Sequence, residues 1–130
     1  MDWLFEFDRA PHDVTVTATG QALAAEFGQL FESLCVDERF VPGMLILLDL
    51  RDVDLDRVPQ MELARVTEDL GHLREGCEGC ALAIVCTPPL AASLIRSADI
   101  GRHAQWMQVW VSCTVDEAIT WLESQLALRA

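Results

Sequence analysis

Along the first twenty residues apolar and polar positions alternate one by one. Trp3, Phe5 and Phe7 alternate with Leu4, Glu6 and Asp8, and Val14, Val16 and Ala18 alternate with Thr15, Thr17 and Thr19. A period of two is that of a strand with one covered face. Ala10-Pro-His-Asp13 between the two runs has turn chemistry, which predicts an antiparallel hairpin whose threonine face is solvated or lightly covered. From Gly20 the period lengthens. Leu23, Phe27, Leu30, Phe31 and Leu34 recur at helical spacing and predict a helix with one broad apolar stripe, ending near Val36. Asp37 to Gly43 follows as a loop with Pro42 and Gly43 as breakers.

Two later runs, Met44 to Leu48 and Cys80 to Cys86, are apolar without alternation, as in strands covered on both faces. The first runs on through Asp49-Leu-Arg-Asp52 into an acidic loop, then a helix from about Pro59 to Leu73 with Leu63, Val66, Leu70 and Leu73 inward. Thr87-Pro-Pro89 starts a third helix over about 89–98. Gln105 to Ser112 predicts the last strand, with Met107, Val109 and Val111 on one face and Trp106, Gln108 and Trp110 on the other. Thr114-Val-Asp-Glu117 fits a capping box for a final helix turning Ala118, Ile119, Leu122 and Leu126 inward. A hairpin followed by helix–strand units makes the expected fold α/β. It is a single small domain over 1–130, a mixed, mostly parallel sheet of four to five strands with an N-terminal hairpin and about four helices. In such sheets ligands and partners dock at the carboxyl ends of the strands, here the end of Met44 to Asp52.

Composition narrows the function classes. Of 130 residues, 52% are hydrophobic and 23% charged, a globular balance. Acidic residues outnumber basic ones 21 to 9, for a net charge of −12. That surplus argues against nucleic acid, whose phosphates need Lys and Arg, and against anionic membrane surfaces. All nine basic residues are Arg, and Lys, Asn and Tyr, which share AT-rich codons, are absent, as in a GC-rich bacterial genome. No apolar stretch approaches the roughly 20 residues of a membrane helix. Asp2, Glu6 and Asp8 interrupt any signal-peptide core, so a cytoplasmic protein is expected. Five cysteines, at 35, 77, 80, 86 and 113, are expected as reduced thiols.

Three segments carry a family resemblance: Asp37-Glu-Arg-Phe-Val-Pro-Gly43 before the central strand, Leu48-Asp-Leu-Arg51 at its end, and Asp116-Glu-Ala-Ile-Thr-Trp-Leu122 in the last helix. In order and spacing, from about 2 to 125, the chain resembles the STAS-like superfamily of bacterial anti-sigma-factor antagonists. It is nearest to a bacterial subgroup described as STAS-like or SEC-fourteen-like. The resemblance implies a non-enzymatic regulatory or binding domain. It also implies a switch, because in those antagonists a serine in a turn after this strand is phosphorylated and the added charge weakens the interface. On this chain the turn falls on Arg57, Val58, Pro59 and Gln60. Val58 stands at the acceptor position and has no hydroxyl, and Thr67 is two turns further on. The phospho-switch is expected to be absent.

Other candidate chemistry is sparse. Asp49, Asp52, Asp54 and Asp56 place four carboxylates within eight residues, a pattern that could hold a divalent cation. The glycine and terminal glutamate of a calcium loop are missing, Arg51 and Arg57 are interleaved, and acids before a helix are favoured by its dipole, so no metal is expected. Cys77-Glu-Gly-Cys80 enters a strand, whereas redox Cys-x-x-Cys pairs open a helix, and no second ligand pair makes a zinc site. His12, His72 and His103 are scattered, no Ser or Cys has a legible base, and no Gly-rich phosphate loop exists, so neither enzyme activity nor a cofactor is expected. The acidic stretch Asp52, Asp54, Asp56, Arg57 and Val58 is the expected face for a protein partner. Trp106 and Trp110, on one strand face, are either core beneath a helix or a patch for homodimerisation or an apolar ligand, which Trp3, Phe5 and Phe7 would join if their strand lay near. The expected function is a protein-interaction domain, including self-association. The alternative is a carrier or sensor of a small, lipid-like apolar molecule.

Overall fold

The computed structural model describes residues 1–7, 13–54, 79–96 and 108–129. Among these are five strands and three helices: β1 (Asp2–Phe7), β2 (Val14–Gln21), α1 (Ala24–Val36), β3 (Leu45–Asp54), β4 (Ala81–Val85), α2 (Pro88–Arg96), β5 (Gln108–Ser112) and α3 (Val115–Arg129). The expected hairpin turn, the Asp56–Val58 loop, the helix over about 59–73, Trp106 and all three histidines lie outside the described residues. No described helix is long and apolar enough to cross a membrane.

The five strands form one sheet in the order β1-β2-β3-β4-β5. β1 and β2 pair antiparallel with Trp3 opposite Ala18, Phe5 opposite Val16 and Phe7 opposite Val14, the register that the alternation requires. The remaining pairs are parallel. When successive parallel strands advance in one direction, right-handed crossovers carry their helices onto the same face. The core agrees: Phe27, Leu30, Phe31 and Leu34 of α1 and Leu90 and Ala91 of α2 pack in one cluster with Val14, Val16, Ala18, Ile46, Leu48, Leu82 and Ile84. The opposite face belongs to α3, whose Ala118 and Leu122 pack on Leu45, Leu47, Ala81, Ala83 and Val85. β4 is buried at all five positions, which accounts for its unbroken apolar run.

β3 is longer than its apolar run. The expected strand ended near Leu48, with Asp52 and Asp54 in a loop. Instead Asp52, Val53 and Asp54 pair in parallel with Thr19, Gly20 and Gln21. The register shifts between Thr17 and Thr19, where β3 carries one extra residue. This bulge changes which side chain faces the core. Strict alternation from Leu50 would send Asp52 inward; with the extra residue Val53 is buried and Asp52 is exposed.

Three helix details also differ from expectation. Gly20 does not open a helix; it continues β2 at φ +91°, a left-handed conformation natural to glycine. α1 therefore starts at Ala24, and Leu23 sits at its N-cap, 63% exposed, while Ala22 turns inward. Leu23 has no side-chain acceptor to offer the first turn; its carbonyl accepts the Glu26 N–H at 3.0 Å, and the Glu26 carboxylate reaches back to accept the Leu23 N–H at 2.8 Å. In α3 the inward stripe is Ala118 and Leu122 with Val115 and Trp121 beside them, while Leu126 is 49% exposed. Fifteen helical residues span about 22 Å, and the five-residue strands beneath about 16 Å, so the end of α3 outruns the sheet.

Leu48, 1% exposed on β3, and Leu4, 60% exposed on β1, give a direct test of this layering. Leu48→Ala is expected to lower unfolding free energy by about 2–5 kcal/mol and Leu4→Ala by less than about 0.5 kcal/mol, as measured from urea unfolding midpoints.

Candidate functional site

The described helices cover only half of the sheet face on the α3 side. α3 lies over β4 and touches β3 and β5, leaving β1 and β2 without a described helix above them. Cross-strand register arranges that open half in rows: Glu6, Thr15 and Leu47; Leu4, Thr17 and Asp49; Asp2, Thr19 and Asp52. Because Leu47 packs against α3, the rows share its side of the sheet. Asp2, Leu4, Thr19 and Asp52 are exposed, and Glu6, Thr15, Thr17 and Asp49 are half-buried. Asp54, two residues beyond Asp52, is exposed as well. Threonine suits such a face, since its branched Cβ favours a strand and its hydroxyl accepts hydration.

Of the expected partner-facing residues, Asp52 and Asp54 therefore lie on this face, as part of a strand. Asp56, Arg57 and Val58 are outside the described residues. The neighbours that complete the surface, Asp2 and Glu6, come from β1, about forty-five residues earlier. Their acidity was visible in the sequence, but the hairpin and the β2–β3 pairing had to be known to bring them beside Asp52.

Arg51 balances part of this charge. Its Nη2 donates to Asp49 Oδ2 at 2.8 Å, its Nε to Oδ1 at 3.0 Å, and its backbone N–H to the same Oδ1 at 3.1 Å. Burial pushes the Asp49 carboxyl upward, but these hydrogen bonds outweigh it and hold the group below its ordinary value. Asp49 is thereby occupied as an ion-pair partner. Among the described residues no three His, Cys, Asp or Glu side chains converge as a metal site.

Trp110 occupies the other edge of the sheet, in register with Ala83 and on the α3 side. It is 42% exposed, and its ring stacks on Trp121 of α3 with centroids 6.0 Å apart and planes 16° from parallel. Trp3, Phe5 and Phe7 do not join it. They lie at the opposite edge and pack into the α1/α2 face, where the Arg39 guanidinium covers Phe7 at 4.3 Å from its centroid. Trp121 was the partner the sequence concealed. Its spacing of three from Ala118 and one from Leu122 marks it as stripe-adjacent, but only the strand beneath could pair it with Trp110.

The cysteines show no redox arrangement among the described residues. Cys80 is buried at the start of β4, and its Sγ accepts the Gly43 N–H at 3.3 Å; Cys77 is not described. Cys86 is buried at the end of β4, and burial pushes its thiol up to about 12. Cys113 is exposed.

No protein family, curated protein or solved structure matches the chain.

Two measurements check the electrostatics. A folded carboxyl lowered below its unfolded value stabilises the fold above the ordinary carboxylate range, near pH 4, and the contribution is lost as pH falls through the folded value. The stability advantage of the wild type over Asp49→Asn is accordingly expected to be full at neutral pH and to close below about pH 4, as followed by urea unfolding across that range. In native thiol labelling at neutral pH, Cys86 is expected to react at least about a hundredfold more slowly than an ordinary solvent thiol, and Cys113 to be modified early, as read by peptide mass mapping.

Proposed function

We propose that the protein is a non-enzymatic interaction domain that docks a basic protein partner on the open acidic half of its sheet. The observation that carries this reading is the cross-strand clustering itself. Among the described residues, Asp2, Glu6, Asp49, Asp52 and Asp54 share one face, and Asp2 and Asp52 are exposed on it. Carboxylates gathered on one face make a local field stronger than the chain's average charge provides. Such a field steers a positively charged surface into contact and repels acidic ones. The β-branched threonines beneath make a flat, stiff platform with little side-chain entropy to lose on docking.

The resemblance to STAS-like antagonists supports the same class of role, an adaptor recognised by another protein. With Val58 and Pro59 where a phosphorylatable turn would lie, the charge of this face is a constant property of the sequence. Regulation then rests on partner availability and ionic strength instead of phosphorylation.

The test is affinity capture from a bacterial lysate with the immobilised chain. Basic proteins are expected on the wild type at about 50 mM salt and to be largely released at about 300 mM. Asp2→Asn with Asp52→Asn is expected to reduce their recovery several-fold at low salt, with an unchanged melting curve. Equal recovery by the variant, or no salt dependence, would remove this face from the interaction. A concentration-dependent dimer in sedimentation, insensitive to the two substitutions, would replace the partner with a second copy of the chain.

A further inference from the structure

Beside the Trp110–Trp121 stack lies an open groove of about 460 Å³, lined by Trp110, Trp121, Asp116, Glu117, Thr120 and Ser124. This volume is within the range of small-molecule sites. The groove is on the far side of α3 from the acidic half-sheet, so it is a separate surface. Its chemistry is one-sided. The Thr120 hydroxyl donates to the Asp116 carbonyl at 2.9 Å and the Ser124 hydroxyl to the Trp121 carbonyl at 2.6 Å, so both protons are committed to the helix backbone. Toward the groove these side chains contribute oxygen lone pairs. Asp116 and Glu117 contribute carboxylates, and the stacked indoles contribute aromatic surface. None of the described lining residues is basic.

Acids in the first turn of a helix are favoured by its dipole, and that alone would explain Asp116 and Glu117. It does not explain an indole 42% exposed and stacked beside them. An anion is poorly served here. Thr114 already takes the Glu117 N–H with its side chain at 3.3 Å and the Ala118 N–H with its carbonyl at 3.3 Å. The two carboxylates offset the positive helix end and would repel an anion. A lipid tail would leave both carboxylates without a counter-charge. A cation with an apolar surface suits these groups, since its methyls would lie against the rings and its charge would face the carboxylates.

We propose that this groove binds a quaternary ammonium group, free as a small molecule or carried as a choline headgroup. A quaternary nitrogen has no N–H to satisfy and is weakly hydrated, so it needs proximity to charge and π-faces more than directed acceptors. This assignment is independent of the partner-docking face.

Choline chloride titrated into the protein against matched sodium chloride, followed by intrinsic tryptophan fluorescence, is the direct test. A saturable change is expected, with affinity about tenfold or more above that of 3,3-dimethylbutan-1-ol, the uncharged analogue of the same shape. Trp121→Leu is expected to lose about tenfold in choline affinity, and Asp116→Asn with Glu117→Gln to erase the preference over the alcohol. The choline–alcohol comparison on the wild type does not depend on any variant folding. Equal affinities, or no saturation with choline, would overturn the proposal. Co-sedimentation with phosphatidylcholine vesicles would assign the cation to a lipid headgroup; saturable choline binding without co-sedimentation would assign it to a free small molecule.

Discussion

Burial of β3 on both faces is the constraint on which the rest of the structure depends. Leu45 and Leu47 point toward α3, while Ile46, Leu48 and Leu50 point toward α1 and α2. Both helical layers pack on this strand, and a one-residue slip is disfavoured, because it would exchange the two sets. The strand must then leave the core through Leu50-Arg-Asp-Val53, where strict alternation would bury Asp52. An unpaired carboxylate in an apolar layer costs several kcal/mol or forces protonation. The extra residue at the bulge avoids that cost by exchanging Asp52 for Val53. The same bulge keeps Asp52 on the open face beside Thr19 and Asp2.

The open face itself follows from geometry. Five strands about 4.8 Å apart span about 19 Å, whereas one helix with its side chains is about 10 Å wide. With same-handed crossovers sending the connecting helices to one side, α3 is the one described helix left for the other. Seated on β4, where Ala81 and Ala83 allow close approach, it covers three strands and leaves two. The acidic half-sheet and the tryptophan groove are therefore two consequences of one packing choice, lying on either side of the same helix. A partner on the first would not have to displace a ligand in the second.

Charge has different consequences at the two surfaces. On the half-sheet it is spread over several strands and hydrated, so its influence is long-ranged and falls with salt. In the groove two carboxylates act beside apolar rings, where a weakly hydrated cation can approach without losing much hydration. The net charge of −12 disfavours polyanionic partners at both without distinguishing between them.

Much of the fold was legible in the chain. The alternation of Trp3, Phe5 and Phe7 with polar residues, and of Val14, Val16 and Ala18 with threonines, determined the hairpin register. The unbroken apolar runs marked β3 and β4, because a strand buried on both faces has no polar position. Three things were decided only by tertiary structure. β3 continues through Asp52 and Asp54 because the uncovered face lets a strand carry charge, which in sequence looks like a loop. Leu23 and Leu126 are exposed because the start of α1 and the overhang of α3 depend on where the neighbouring strands end. Asp2 meets Asp52, and Trp110 meets Trp121, through strand pairing and helix docking between segments separated along the chain. Periodicity reports which face of an element is covered, and it carries no information about which other element covers it.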